Sequence, residues 1–333
     1  MTLQEPAEPH ISVLYDDTRR DLRDPSAPRP VRLYVWEPVR RVTDAGPLVV
    51  VSHGTGGSGS AMNWLVRPLV EAGLRVVALD HHGNNFVDGY EPEGFVLGWE
   101  RPRDVTVALD ALAAREPLGP VGVAGFSFGG YTAAALAGAR VDRDVVAALL
   151  GGELPEPVVP EFPGLIAAVR EKRTPEELAA AVQDSGADVS DPRVRAVFQV
   201  APGLGSLLTP GSLAAIRIPV ELRWGGADTI TPYAEDTAPY LENIPGITGH
   251  CVGPDVRHED FFEHLPGDGE ARTRTGADAA PFFLRHLAGR TPGTHRGPWT
   301  PRVLTAAATA PGGRRKLETG PAGTGGGPDR EGQ

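Results

Sequence analysis

The sequence predicts an α/β protein: a mostly parallel sheet with helices on both faces. Three observations carry this. Continuous apolar runs rich in β-branched residues, at 47–52, 74–80 and 121–126, have the composition of strands buried on both faces. Segments with helical periodicity, 63–72 and 102–115, alternate with them at short intervals. The run 121–126 (VGVAGF) passes straight into Ser127-Phe128-Gly129-Gly130 and an Ala-rich stretch, 131–139. That order reads as strand, sharp turn and helix, with a serine at the apex.

Taken in order, residues 1–30 are polar and Pro-rich, an extended lead-in with a short strand near 11–15. Residues 31–36 alternate apolar and polar, as a half-exposed strand does. Helix 63–72 ends at Gly73, a C-cap position. In 102–115, Val105, Leu109 and Leu112 recur at helical spacing. Residues 145–150 read as a strand ending at Gly151-Gly152, and 218–224 and 247–252 as two more. The stretch 153–212 breaks the rhythm, with helices at 163–172 and 174–184, and reads either as a cap over a pocket or as an ordinary structural excursion. A helix is expected over 279–287. The expected organisation is thus a lead-in (1–30), a core (31–152 and 213–290), a cap insertion (153–212) and a tail (291–333). Gly, Pro, Thr and Arg dominate the tail, which cannot bury enough apolar surface to offset its ordering entropy and reads as disordered.

Composition narrows the function classes. A length of 333 residues with 41% hydrophobic content is enough for one large domain or two modest ones. A formal net charge of -11 argues against a nucleic-acid partner. Cys251 is the only cysteine, so an intrachain disulfide and a Cys-based metal site are both excluded. The first ten residues lack a basic and then apolar leader, and no apolar run approaches the ~20 residues that span a bilayer. The expectation is a cytoplasmic protein without a membrane span; the oligomeric state is not legible.

Gly125 and Gly129 flank Ser127 in the pattern G-x-S-x-G. With 42 glycines the bare pattern can arise by chance, but the strand–turn–helix context forces the serine into a strained conformation with its hydroxyl free to attack a carbonyl. Such a nucleophile needs a base, and the base needs an orienting acid. Asp228, in Trp224-Gly-Gly-Ala-Asp-Thr-Ile-Thr-Pro232, follows the expected strand 218–224 and is the candidate acid. Asp in such a place also serves as an N-cap or turn residue. Glu153, after 145–150, is the rival acid. Of the histidines beyond Asp228 (His250, His258, His264, His286 and His295), His258 lies after the last expected strand and before Phe261-Phe262, and is the candidate base. Two amides should form an oxyanion hole: that of Phe128 and one from the loop 52–60, where Thr55 is the choice. That loop is Gly-rich, but it lacks the G-x-x-x-x-G-K-[ST] pattern of a phosphate cradle.

These residues resemble the α/β-hydrolase superfamily. More narrowly they resemble the bacterial platelet-activating-factor acetylhydrolase-like and predicted dienelactone hydrolase group. The likeness runs from about Val31 to His286 and is carried by Pro47-Leu-Val-Val-Val-Ser-His-Gly-Thr-Gly-Gly57, Leu79-Asp-His-His-Gly83, Arg101-Pro-Arg-Asp-Val105 and Gly125-Phe-Ser-Phe-Gly-Gly-Tyr131. It implies an α/β-hydrolase fold with a helical cap, a triad of Ser127, Asp228 and His258, and an oxyanion hole of Thr55 and Phe128. True dienelactone hydrolases carry cysteine where Ser127 stands, and Phe126 stands where the group often has histidine. The expected activity is hydrolysis of small-molecule carboxylic esters with no metal or cofactor. Apolar cap residues, among them Val158, Val159, Phe162, Leu165 and Ile166, hint at a short acyl group. Lactonase, amidase or acyltransferase chemistry on the same triad, and a silent binding scaffold, are the alternatives.

Overall fold

The computed structural model describes residues 8–39, 46–157, 159–263 and 269–288. Val158, His264, His295 and the tail 291–333 lie outside these.

The chain lays down β1 (His10–Arg20), β2 (Pro28–Trp36), β3 (Leu48–Ser52), β4 (Arg75–Asp80), a small hairpin β5–β6 (Asn84–Asn85 and Gly89–Tyr90), β7 (Val121–Phe126), β8 (Val194–Val200), β9 (Val220–Trp224) and β10 (Thr248–Cys251). All but the hairpin form one eight-stranded sheet in the order β1-β2-β4-β3-β7-β8-β9-β10. Pairings β1–β2 and β2–β4 are antiparallel, and every pairing from β4 to β10 is parallel. The helices are α1 (Asn63–Glu71), α2 (Pro92–Val96), α3 (Glu100–Ala113), α4 (Phe128–Leu136), α5 (Arg143–Gly151), α6 (Leu165–Lys172), α7 (Pro175–Ser185), α8 (Pro210–Ala215), α9 (Ala238–Asn243) and α10 (Glu270–Leu287).

The period-2 geometry of the strands sorts their side chains into two cores. Leu48 and Val50 of β3 join a cluster with Val105 and Leu109 of α3 and Ala133 of α4. Val49 and Val51 join the opposite cluster, with Leu65 and Leu69 of α1 and Phe282 and Phe283 of α10. The central strands therefore need apolar residues at every position, and β3 and β7 are buried throughout.

Two glycines set the distance between α4 and the sheet. A Cβ on Gly129 would stand 2.0 Å from the Ser52 carbonyl oxygen, and one on Gly125 would stand 2.0 Å from the Gly129 carbonyl oxygen. All nine residues of α4 are buried, which its Ala-rich sequence permits.

Two expectations need correction. Residues 145–150 are not a strand but the body of α5. Asp142 caps this helix by accepting from the Asp144 amide, Val146 and Leu150 turn one face inward, and Gly152 closes it in the left-handed region at φ 80°. A six-residue apolar run fits either state, and here the two caps decide. The strand next to β7 is instead β8, whose sequence VRAVFQV lies inside the stretch expected to be a cap. Arg195 and Gln199 interrupt its apolar run, yet Gln199 is fully buried and donates from Nε2 to the Gly130 carbonyl at 2.9 Å. The segment 153–212 is thus not one insertion: the helical excursion ends with α7, and the sheet resumes at Val194. The lead-in, too, holds a longer strand than expected, since β1 spans eleven residues.

By helix propensity alone, Gly129→Ala should stabilise α4 by about 1 kcal/mol. The clash with the Ser52 carbonyl predicts the opposite sign: a loss of about 3 kcal/mol or more, read as a lower urea midpoint or as insoluble protein.

Candidate active site

Ser127 stands between β7 and α4 at φ 55°, ψ -121°, a left-handed conformation that costs a non-glycine residue roughly 1–3 kcal/mol. Neighbouring backbone holds it there. The Ser127 amide donates to the Val200 carbonyl at 2.9 Å, and the Ser127 carbonyl accepts from Gly130 (2.8 Å) and Gly203 (3.1 Å). The strained turn is thereby fastened to the end of β8. The side chain is left at the N-terminus of α4, where helix amides favour negative charge.

Asp228 lies in the turn after β9, and every lone pair of its carboxylate faces a donor. Oδ1 accepts from the Ile230 amide at 2.9 Å and the Thr231 amide at 2.8 Å. Oδ2 accepts from the Thr231 hydroxyl at 2.9 Å and from His258 Nδ1 at 2.7 Å. Burial works against this carboxylate, but the His258 and Thr231 contacts outweigh it and hold the group below its ordinary value. His258 opens a short turn, His258–Phe261, after β10 and is 1% exposed. Its ring lies 4.8 Å from the ring of Phe126, the residue preceding Ser127, and meets Phe262 edge-on at 5.8 Å. Because a carboxylate only accepts, Nδ1 carries the hydrogen of this bond. The loops bearing the acid and the imidazole are joined by backbone: Gly226 donates to Gly253 at 2.8 Å and Ala227 to Val256 at 2.9 Å. A Cβ on Gly225 would stand 2.2 Å from the Val256 oxygen, which explains the Gly-Gly pair before Asp228.

The loop after β3 borders the serine, since a Cβ on Gly54 would lie 3.1 Å from Ser127 Cβ. Gly56 donates to Asn84 Oδ1 (2.9 Å), Gly57 accepts from the Phe86 amide (3.2 Å) and Gly56 accepts from the Tyr90 hydroxyl (3.0 Å). Among the described residues, the amides of Thr55 and Phe128 donate to no protein acceptor.

Beneath the loop the buried imidazoles are neutral. His53 shares its Nδ1 hydrogen with the Gly54 carbonyl at 2.6 Å and accepts from the His81 amide at Nε2, 3.1 Å away; burial holds it well below the usual imidazole range. His81 faces Asp104 through Nδ1 at 3.3 Å and Ser52 through Nε2 at 2.9 Å, and burial pushes it down to about 3.

Of the sequence candidates, Asp228 and His258 meet directly, Phe128 follows Ser127 as the first residue of α4, and Thr55 lies in the loop whose Gly54 borders the serine. Glu153 is exposed beyond the C-cap of α5 and follows no strand, so the rival acid loses the position that recommended it. His250 lies within β10, and His286 packs on Phe282 in α10. Sequence reasoning missed the Thr231 hydroxyl, 3.1 Å from His258 Nδ1, and the polar layer under the loop. The Thr231 role depends on the turn geometry after Asp228, which no spacing reveals. Among the described residues no group of three or more His, Cys, Asp or Glu side chains could hold a metal ion, and no helix is long and apolar enough to cross a membrane.

A strand order with one crossover at β3–β4, a strained serine between a parallel strand and a helix, and acid and imidazole after the last two strands together decide the architecture. The fold is that of the α/β-hydrolases. Residues 43–202, just under half of the chain, match the family described as "Serine aminopeptidase, S33". A puromycin-hydrolysing peptidase from Mycobacterium tuberculosis is similar in structure, with a TM-score of 0.54 and 14% identity over 86% of this chain; the chain spans 40% of that protein's length. A cold-adapted esterase from an Arctic intertidal metagenomic library matches with a TM-score of 0.50 and 15% identity, over 86% of this chain and 96% of the esterase. Comparison with curated protein sequences finds no significant match.

One acid near the site is perturbed upward. Burial, with Asp228 and Glu235 adding to it, pushes Asp236 up to about 6, although the Gly205 amide donates to it at 3.2 Å. The folded state then keeps a proton that the unfolded chain has released above about 4, so stability falls as pH rises from about 4 to 6. Asp236→Asn should therefore be more stable than the parent by a margin that grows over this interval and levels off above it, as melting temperatures in matched buffers would show.

Proposed function

We propose that the protein is a serine hydrolase that cleaves carboxylic esters of small molecules through an acyl-Ser127 intermediate. The observation that carries this reading is the 2.7 Å bond from His258 Nδ1 to Asp228, beside a serine strained at its elbow. With Nδ1 committed, Nε2 is the ring's basic atom. It takes the Ser127 proton as Oγ attacks the ester carbonyl, and Asp228 stabilises the imidazolium that forms. The amides of Thr55 and Phe128 donate to the tetrahedral oxyanion; removing one such donor typically costs about 10²–10³ in rate. His258 then protonates the departing alcohol, and water releases the acyl group by the same steps in reverse. No step requires a metal or cofactor.

Helices α6 and α7 act in this reading as a cap that is bolted in place. Glu93, 1% exposed on α2, bonds Lys172 (3.0 Å) and Arg173 (2.9 Å) at the end of α6, and Arg103 of α3 grips Asp184 of α7 with two 2.6 Å bonds. Leu165 and Ile166 belong to the core and Phe162 packs on Phe95, so these residues seat the cap rather than argue for an acyl chain. Exposed Phe86 and Tyr90 of the β5–β6 hairpin, and Ile230 and Tyr233 just after Asp228, support a small apolar substrate instead. The motifs shared with the platelet-activating-factor acetylhydrolase-like group favour an ester. Peptide or amide cleavage is the second reading, favoured by the description of the matching family.

The test is labelling by a fluorophosphonate probe together with turnover of p-nitrophenyl esters and p-nitroanilides. Ser127→Ala should abolish both label and turnover, and esters should be cleaved faster than anilides. Asp228→Asn should lower kcat by about 10⁴, while Glu153→Gln should match the parent. Absence of label on the parent chain would sink the hydrolase reading, and faster anilide turnover would hand the site to the peptidase reading.

A further inference from the structure

Arg101, in the first turn of α3, is 1% exposed, and among the described residues no carboxylate lies within ion-pair distance of it. Asp104, three residues on, spends its oxygens on Arg19, Arg29 and His81. Burying a guanidinium without an ion-pair partner costs several kcal/mol, so its hydrogen bonds must serve some purpose. They go to the two segments that frame Ser127 and to Asn84, which itself holds one of those segments. Nη2 donates to the His53 carbonyl and faces the Ser52 hydroxyl at 3.4 Å. Nη1 donates to Asn84 Oδ1 at 3.1 Å, the same oxygen that accepts from the Gly56 amide. Since both neighbours of that oxygen are donors, the orientation of the Asn84 amide is fixed. On the other side, Nε donates to the Thr132 hydroxyl at 3.1 Å, which donates in turn to the Phe128 carbonyl at 3.1 Å. The guanidinium carbon also lies 4.4 Å from the centre of the Phe128 ring, a cation–π distance.

We propose that Arg101 is the positioning residue of the oxyanion site, one buried guanidinium that fixes both donor amides at once. This rests on the serine-hydrolase reading above. Thr55 is bracketed by two anchored neighbours, the His53 carbonyl and the Gly56 amide, and both anchors lead to Arg101. Phe128 is held through its ring and through Thr132. The loop after β3 and the start of α4 share no covalent link, so their relative placement depends on a bridge of this kind. An error of 1 Å in a donor is enough to cost about 10² in rate. Burial pushes the guanidinium down to about 9, which leaves it cationic at neutral pH, a fixed positive charge behind both amides.

The experiment measures kcat and KM on p-nitrophenyl butyrate, and the affinity for a phenylboronic acid that forms a tetrahedral adduct with serine, in the full-length chain and three variants. Arg101→Met should lower kcat by about 10²–10³ with KM within threefold, and should weaken the boronate by the same factor. Arg101→Lys should recover about tenfold of that loss, because an ammonium keeps the charge but cannot span all the acceptors. Asn84→Ala, which releases the Gly56 amide and removes one Arg101 acceptor but spares the His53 and Thr132 bonds, should lower kcat by roughly tenfold with the same unchanged KM. Melting curves report whether each variant folds; if Arg101→Met does not, the other two carry the test. Folded Arg101→Lys and Asn84→Ala with parental kcat overturn the proposal, as does a loss confined to KM. A parent chain without Ser127-dependent turnover overturns the hydrolase reading, and this proposal falls with it.

Discussion

The contact between helix α4 and the strands beneath it is the constraint on which the rest of the site depends. Two backbone segments approach so closely at Gly125 and Gly129 that no side chain fits between them. That approach turns the chain sharply at Ser127 and forces the left-handed conformation, which the amide-to-carbonyl bond to Val200 then secures. The strain is tolerable because β8, the strand providing the clasp, is itself a fully integrated member of the sheet, paired on both sides. A site of this kind is a property of the sheet's centre and not of a loop added to it.

Apolar burial and polar wiring divide the work between them. The two apolar clusters fix the strands and helices but are indifferent to which way a peptide plane faces. The layer of Ser52, His53, His81, Arg101 and Asp104 supplies that information. Asp104 holds the proton pattern of His81, which leaves Nε2 to accept from Ser52; the His81 amide in turn fixes the tautomer of His53. Such a chain is costly to leave half-made, so each member constrains the next.

Much of the fold was legible because the central strands carry their signal locally. The runs VVVS and VGVAGF need no partner to be recognised, and β3, β4, β7, β9 and β10 fall where the sequence puts them, within a residue or two. The stretch 145–150 was misread because caps, not composition, decide a short apolar run. β8 was missed for the converse reason: Arg195 and Gln199 dilute its pattern, and its strand character comes from lying between β7 and β9. At the candidate site, motif and chain order single out Ser127, Asp228 and His258 for the proposed triad. The contacts of Thr231 and Arg101 are not readable this way: the Thr231 hydroxyl reaches Asp228 through the geometry of a turn and His258 27 residues on, and Arg101 meets Thr132 31 residues away.

The backbone bonds between residues 226–227 and 253–256 have a consequence for how this scaffold can be rebuilt. Acid and imidazole arrive on two separate turns, yet those turns are stitched into a single block by Gly226–Gly253 and Ala227–Val256. A graft that exchanges only one of them would bring new side chains on a mismatched edge and misalign the imidazole without touching it. The two turns are one structural unit, and the stretch between them, β10 included, is the natural cassette for transplanting this half of the site onto another framework.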